Sequence, residues 1–119
     1  MNTAELELAI KDLVAMEGVN AAAVVTRDGI MVNFLNKHTP DAVSPLSSVV
    51  AMMAITAEKC TRIFKKGEME ELITKADGGV LLTERCGEFI FIVAADKGID
   101  LESIKPQREK VKEAIAGMV

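Results

Sequence analysis

Two segments of this 119-residue chain are apolar on both faces of a β-strand. The first, VNAAAVVT at residues 19–26, alternates Ala21, Ala23 and Val25 with Ala22, Val24 and Thr26. The second, FIFIVAA at residues 89–95, is apolar in the same two-sided way. A strand with two apolar faces has to be covered on both sides. These segments therefore predict a sheet with helices above and below it, which makes three layers.

Turn residues and helical periodicity place the other elements around these strands. The Asp28-Gly29 and Gly78-Gly79 turns predict hairpins, so the sheet is expected to be antiparallel. The result is a single α+β domain over residues 1–119 with a three-layer α/β/α architecture and a five-stranded antiparallel sheet. The predicted elements are a helix over 2–17 with Asn2 and Glu5 as a capping box, strands over 19–26 and 30–35, a helix over 44–67, strands over 70–76, 80–86 and from 89 onward, and a helix that begins near Pro106 and runs to about Met118.

The helix over residues 44–67 has more apolar surface than a core-facing stripe requires. Ser44 is its expected N-cap and Gly67 its expected end. Met52, Ile55 and Ile63 fall outside the main stripe and form a second apolar surface, which is uncommon on monomers. The main stripe, expected to face the core, consists of Leu46, Val49, Val50, Met53, Ala57, Cys60 and Phe64.

The size of the second surface favours a protein partner over a substrate. Burying three large aliphatic side chains is worth roughly 1.5–3 kcal/mol each, so two copies that meet would gain about 9–18 kcal/mol. Association costs an estimated ~4–15 kcal/mol, so a symmetric dimer is energetically feasible. The alternative is that a loop of the same chain covers the second surface.

Composition excludes several other classes of function. The net charge of −4, the pI near 5.0 and the absence of Trp and Tyr argue against a nucleic-acid surface. Cys60 and Cys86 lack the spacing of metal ligands or of a disulfide framework. No apolar run reaches the ~18 residues of a membrane helix, and the N-terminus lacks the pattern of a signal peptide. We therefore expect a soluble cytoplasmic protein with reduced thiols.

No catalytic constellation is evident either. His38 is the single histidine, so one chain cannot assemble a His-based metal site or a catalytic triad. The glycines do not form a phosphate-binding loop. Arg85 beside Cys86 would lower the pKa of the thiol, but no base is placed near it, and a structural thiol is the simpler interpretation. The expectation is a protein that is not an enzyme and has no cofactor and no metal.

Several segments together resemble the Roadblock family of dynein light-chain and MglB-like regulators. They are EGV at residues 17–19, AAAVVTRDGIMV at 21–32, the long helix rich in small residues, and VAADKGIDLESIK at 93–105. The resemblance implies that the long helix lies on one face of the sheet and the two terminal helices on the other, a Roadblock-like, profilin-like topology. It also implies a dimer formed through the long helix and the third strand. The matching positions are Met52, Ile55, Thr56, Lys59 and Ile63 on the helix and Leu72, Ile73 and Thr74 on the strand.

The resemblance further implies a function. Family members commonly bind Ras-like small GTPases, and the candidate contacts here are Glu58, Arg62 and Lys66. Arg62 could act as a catalytic finger, although an ordinary solvated arginine is the simpler interpretation. The leading hypothesis is a homodimeric adaptor that modulates the nucleotide cycle or the localisation of such a GTPase.

Two alternatives remain open. One is a small-molecule-sensing module that uses a cavity between sheet and helix. Against it, Ala21, Ala22 and Ala23 favour close helix packing, and no polar group is evident on an inward face to orient a ligand. The other is a heterodimer with a sister Roadblock chain, which would keep the fold and change the partner.

Overall fold

The computed structural model describes residues 3–38 and 45–118 and has the predicted order of elements. The capping residues proposed at Asn2 and Ser44 lie outside the described residues. The elements are α1 (Ala4–Val14), β1 (Val19–Thr26), β2 (Met31–Asn36), α2 (Leu46–Ile63), β3 (Glu71–Ala76), β4 (Gly79–Cys86), β5 (Phe89–Asp96) and α3 (Lys105–Ala116).

The five strands form one antiparallel sheet in the order β2-β1-β5-β4-β3. The two strands with two apolar faces, β1 and β5, are therefore neighbours at the centre of the sheet. On β5, Phe91 and Val93 belong to the core on one face, while Ile90 and Ile92 belong to the core on the other. The alternation predicted from the sequence is confirmed for this strand.

Helices cover both faces of the sheet. On one face α1 and α3 pack against each other and against β1 and β5, through side chains such as Leu6, Ile10 and Val111. On the other face α2 packs against β1, β5 and β4. The expected three layers are present, and α2 is the one described helix on its side of the sheet.

The long helix ends at Ile63, one turn before the expected stop at Gly67. Lys65 adopts the left-handed backbone conformation, with φ +58°. The Lys66 amide donates to the Thr61 carbonyl at 2.7 Å, and the Thr61 hydroxyl donates to the Gly67 carbonyl at 2.8 Å. Glycine usually occupies the left-handed position that closes a helix, so the glycine at 67 predicted the wrong end.

Candidate protein-binding site

The outer face of α2 concentrates large apolar side chains in solvent. Val49, Met52, Ile63 and Phe64 are 53%, 67%, 76% and 74% exposed. An open groove runs along the same face and is lined by Val49, Met52, Met53, Thr56, Ala57 and Cys60. A contiguous apolar face of this kind is typical of a protein-binding surface.

The sequence had assigned part of this face to the core. Val49, Cys60 and Phe64 were expected to face inward, but all three are exposed. The fully buried positions of α2 are instead Val50, Ala51, Ala54 and Glu58. The other four residues of the predicted stripe do contact the core: Val50 is buried, and Leu46, Met53 and Ala57 pack against it. The helix is therefore rotated from the predicted orientation, so that Ala51, Ala54 and Glu58 join Val50 against the sheet.

Among the helix positions proposed for a dimer, Met52, Thr56, Lys59 and Ile63 are exposed. Ile55 is half-buried and borders the space beside Glu58.

The three strand positions proposed for a dimer lie on β3, an edge strand that pairs with β4 alone within the described chain. Leu72 and Thr74 are half-buried, and Leu72 packs against the core beneath α2. Ile73 is exposed. An edge strand leaves one row of backbone hydrogen-bonding groups available for pairing with another chain.

A buried carboxylate anchors the second half of α2. Glu58 is 5% exposed, and Arg62 of the same helix contacts its Oε1 at 3.0 Å. Arg27, in the turn after β1, contacts Oε1 at 3.5 Å, and Arg85 on β4 contacts Oε2 at 3.3 Å. Three guanidinium groups therefore compensate one buried charge, which would be costly if it were unpaired.

A second carboxylate closes this cluster from outside. Glu68, in the connection between α2 and β3, lies 3.1 Å from Arg85 and 3.6 Å from Arg62. Its side chain is 69% exposed. We call Arg27, Glu58, Arg62, Glu68 and Arg85 the α2 ion cluster; three arginines against two glutamates give it a net charge of +1.

The three residues proposed as GTPase contacts differ in their exposure to solvent. Glu58 lies beneath the arginines, so it is not the polar surface position that was expected. Arg62 remains half-exposed, and Lys66 is exposed without an ion pair among the described residues. Sequence reasoning missed Arg27, Arg85 and Glu68 as members of the cluster. Only the four-residue spacing of Glu58 and Arg62 gave a local signal.

A second ion cluster lies on the opposite face of the sheet. Glu84 of β4 is buried and accepts hydrogen bonds from Arg108 and Lys112 of α3, each at 3.1 Å. Burial by itself lowers the pKa of Lys112, but the hydrogen bond and charge of Glu84, together with Glu109, more than compensate, so the pKa is raised. The expectation that no polar group faces inward was wrong on both faces of the sheet.

Cys86 is not an activated thiol. Burial, followed by the negative charge of Glu84, raises its pKa from 9.0 to about 11. The neighbouring Arg85 was expected to lower this pKa, but its guanidinium is engaged with Glu58 and Glu68. Adjacent residues of a strand point to opposite faces of the sheet, so Arg85 and Cys86 are directed apart. The structural interpretation of Cys86 agrees with its environment.

A hollow of about 300 Å³ lies beneath the first half of α2. Ala21, Ala22 and Ala23 are among its lining residues. These alanines were expected to allow close packing of the helix, but a space remains between them and α2. Within residues 3–38 and 45–118, no group of His, Cys, Asp and Glu side chains could hold a metal ion. No helix in the same ranges is long and apolar enough to cross a bilayer.

The strand order and the placement of one long helix opposite two terminal helices define the class of Roadblock-like, profilin-like α+β domains. The chain belongs to the Roadblock/LC7 family, because the profile of the Roadblock/LC7 domain matches residues 5–96. No curated protein matches the chain in sequence.

Solved structures share this fold at low sequence identity. MglB of Myxococcus xanthus is 11% identical and has a TM-score of 0.87 over 99% of this chain and 97% of that one. A Roadblock/LC7 domain from Streptomyces avermitilis is 13% identical, with a TM-score of 0.82 over 94% and 95%. An MglB described as having a tetrameric arrangement is 18% identical, with a TM-score of 0.79 over 98% and 90%. At these identities the likeness concerns the fold.

Proposed function

We propose that this chain is a non-enzymatic homodimeric adaptor of the cytoplasm, one domain over residues 1–119, that binds a Ras-like small GTPase and modulates its nucleotide cycle or localisation. The observation that carries the proposal is the apolar outer face of α2, where four large side chains are more than half exposed.

Self-association is the first part of the proposal. Burying four such side chains on each of two copies is worth roughly 12–24 kcal/mol before the costs of association, which are about 4–15 kcal/mol. One edge of β3 has no strand partner among the described residues, and its backbone groups can pair with a second copy. Most soluble oligomers are symmetric homo-oligomers, and one MglB with this fold has a tetrameric arrangement.

GTPase binding is the second part, and it rests on membership of the Roadblock/LC7 family. The arginines Arg27, Arg62, Arg85 and Arg108 all pair with glutamates, so none is free to enter a partner's active site. Any effect on GTP hydrolysis is therefore expected to act by repositioning the GTPase's own residues. Replacing Arg62 by alanine should then lower the maximal rate of hydrolysis much less than the ~10³-fold loss expected for a catalytic arginine finger.

Light scattering of the purified chain tests the dimer. The wild-type chain is expected at twice its mass of 12.8 kDa. Met52→Lys and Ile63→Lys place a charge on the exposed face and should give monomers. Leu8→Lys is the matched control, because Leu8 is 61% exposed on α1 and should leave the dimer intact. Ile55 is a poorer choice because it is half-buried. A monomeric wild-type chain would refute self-association.

A pull-down tests the GTPase. Each Ras-like GTPase of the same genome is loaded with GDP or with a non-hydrolysable GTP analogue and presented to the immobilised chain. Retention of at least one of them, lost in an α2 surface variant, is expected. If none is retained in either nucleotide state, this part of the proposal fails while the dimer can still stand.

The hollow beneath α2 keeps a small-molecule-sensing function as a second candidate. A thermal-shift screen with apolar compounds of fewer than about 20 heavy atoms tests it. Stabilisation that disappears when Ala23→Leu fills the hollow would favour sensing over the adaptor function. The heterodimer is the third candidate. It would be supported if the purified chain is a monomer by itself and forms a dimer when a sister Roadblock chain is co-expressed.

A further inference from the structure

We propose that the outer edge of β2 and the hollow beneath α2 form one binding site for an extended, uncharged segment of a partner protein. The segment pairs with β2 as an additional strand and places one aliphatic side chain in the hollow. β2 is the last strand on its side of the sheet and pairs with β1 alone among the described residues. The proposal does not rest on self-association, because β3, the edge strand offered for the dimer, takes no part in it.

The composition of β2 leaves its outer edge suited to pairing. Its sequence, MVNFLN, has no charged residue and no proline, whereas the opposite edge strand, β3, carries Glu71 and Lys75. Charges, prolines and bulges are the usual devices that keep an edge strand from pairing with another chain. The register shift of the β1–β2 pair lies between Val24 and Val25, opposite the start of β2, so residues 33–36 stay in regular register.

The pairing of β2 with β1 shows which backbone groups of β2 face outward. The Lys37 N–H, directly after the strand, donates to the Asn20 carbonyl at 2.8 Å. Inward and outward groups alternate along an antiparallel pair, so the N–H of Leu35 is directed toward β1 and the N–H and carbonyl of Phe34 are directed away from it. A segment laid along this edge therefore exchanges backbone hydrogen bonds with Phe34.

The hollow supplies a place for one side chain of that segment. Its volume is about 300 Å³, and Phe34 and Asn36 of β2 line it together with Leu46 of α2. Asn36 is the one polar residue among the described residues that line it. An added strand lies about 4.8 Å beyond β2, which is within reach of a leucine side chain. In strand addition the backbone gives affinity and pockets for alternate side chains give specificity. An apolar pocket selects an aliphatic side chain, since a charged one would be desolvated there without a partner.

Fluorescence anisotropy with a labelled heptapeptide tests the proposal. The probe alternates threonine with apolar residues and has a central leucine between two valines. Replacing that leucine by serine should weaken binding about tenfold or more, because a large aliphatic side chain is no longer buried. Ala23→Leu fills the hollow and should weaken binding of the leucine probe to a similar degree. Ala116→Leu is the matched control, the same change at an exposed position on α3, and should bind like the wild-type chain. Thermal unfolding confirms that both variants are folded.

Backbone methylation separates strand addition from simple filling of the hollow. Two further probes carry N-methyl groups on alternate residues, one probe on each set. One of them should bind like the parent probe and the other should lose binding, because only one edge of an added strand faces β2. Bound peptide should also slow hydrogen exchange at the Phe34 amide and leave the Leu35 amide unchanged.

Three results would overturn the proposal. The first is equal binding of the two methylated probes, which would show that the hollow alone holds a side chain. The second is no binding of the parent probe at about 1 mM, the weak end of specific affinities. The third is a wild-type chain larger than a dimer in light scattering, with its Phe34 amide already protected, which would place a second copy on this edge.

Discussion

Glu58 of α2 and Arg85 of β4 form an ion pair of 3.3 Å across the boundary between helix and sheet. The fully buried apolar residues of α2, Val50, Ala51 and Ala54, all lie before Glu58. Apolar packing therefore holds the first part of the helix, and the α2 ion cluster holds the part that carries Ile63 and Phe64 to the surface. Apolar packing and ion pairing together hold the proposed binding face in place.

Replacing Glu58 by glutamine should destabilise the fold by about 1–3 kcal/mol, the cost of removing one partner from a buried polar contact. The three arginines would lose their buried counter-charge but keep partial access to water. The free energy of unfolding in urea measures the effect. Glu71→Gln is the control, since Glu71 is exposed on β3 without an ion pair among the described residues. A loss below about 0.5 kcal/mol, as for ordinary surface changes, would mean that the cluster does not anchor α2.

Gly79→Ala should cost about 1–3 kcal/mol, the usual range for overpacking. A Cβ at residue 79 would clash with the carbonyl oxygen of Ala95, so β4 and β5 would have to separate locally. Gly78→Ala is the matched control, because apart from the two adjacent residues no described atom lies within 4 Å of the corresponding Cβ. Thermal and chemical unfolding should show that Gly79→Ala is clearly less stable than Gly78→Ala. Equal stabilities would contradict the close approach of residue 79 to the backbone of Ala95.

Lys65→Gly should stabilise the chain by about 0.5–1 kcal/mol. Lys65 has φ +58°, a conformation that costs about 1–2 kcal/mol for a residue with a Cβ and little for glycine, which in turn loses more entropy on folding. The shift of the urea midpoint measures the gain. Lys66→Gly, which removes the same charge one residue later, should give no such gain. Destabilisation by Lys65→Gly would show that the lysine side chain has a contact worth more than the strain.

Stability should fall between about pH 9 and 11. Cys86 has a pKa near 11 in the folded chain and 9.0 as its ordinary value, so the unfolded state releases this proton first as the pH rises. Its contribution is complete below pH 9 and is lost as the pH passes through 11. Lys112, whose pKa is raised above 10.5, acts in the same direction at still higher pH.

Unfolding midpoints in guanidinium at pH 8, 9, 10 and 11 measure this dependence. Cys86→Ala should flatten the decline between pH 9 and 11. Cys60→Ala, at an exposed position, should keep the wild-type decline. If the Cys86→Ala and wild-type curves run parallel, the thiol is not protected from ionisation by the fold.

Local patterns were sufficient for most of the architecture. The alternation in β1 and β5 predicted two buried faces because successive side chains of a strand point to opposite sides, whatever covers them. Turn glycines and helical periodicity then set the order of the other elements.

The sequence by itself thus determined the two-sided central strands, the order of the elements and the number of layers, since each follows from the period of neighbouring side chains. Only the tertiary structure decided how α2 is rotated against the sheet, which exposes Val49 and buries Glu58, and which charges are buried. Glu58 depends on Arg27 and Arg85, and Glu84 depends on Arg108, partners that are distant along the chain. A charged side chain is stable inside a protein only where folding brings an opposite charge next to it. The periodicity of apolar residues along the sequence does not predict which distant charges will become neighbours.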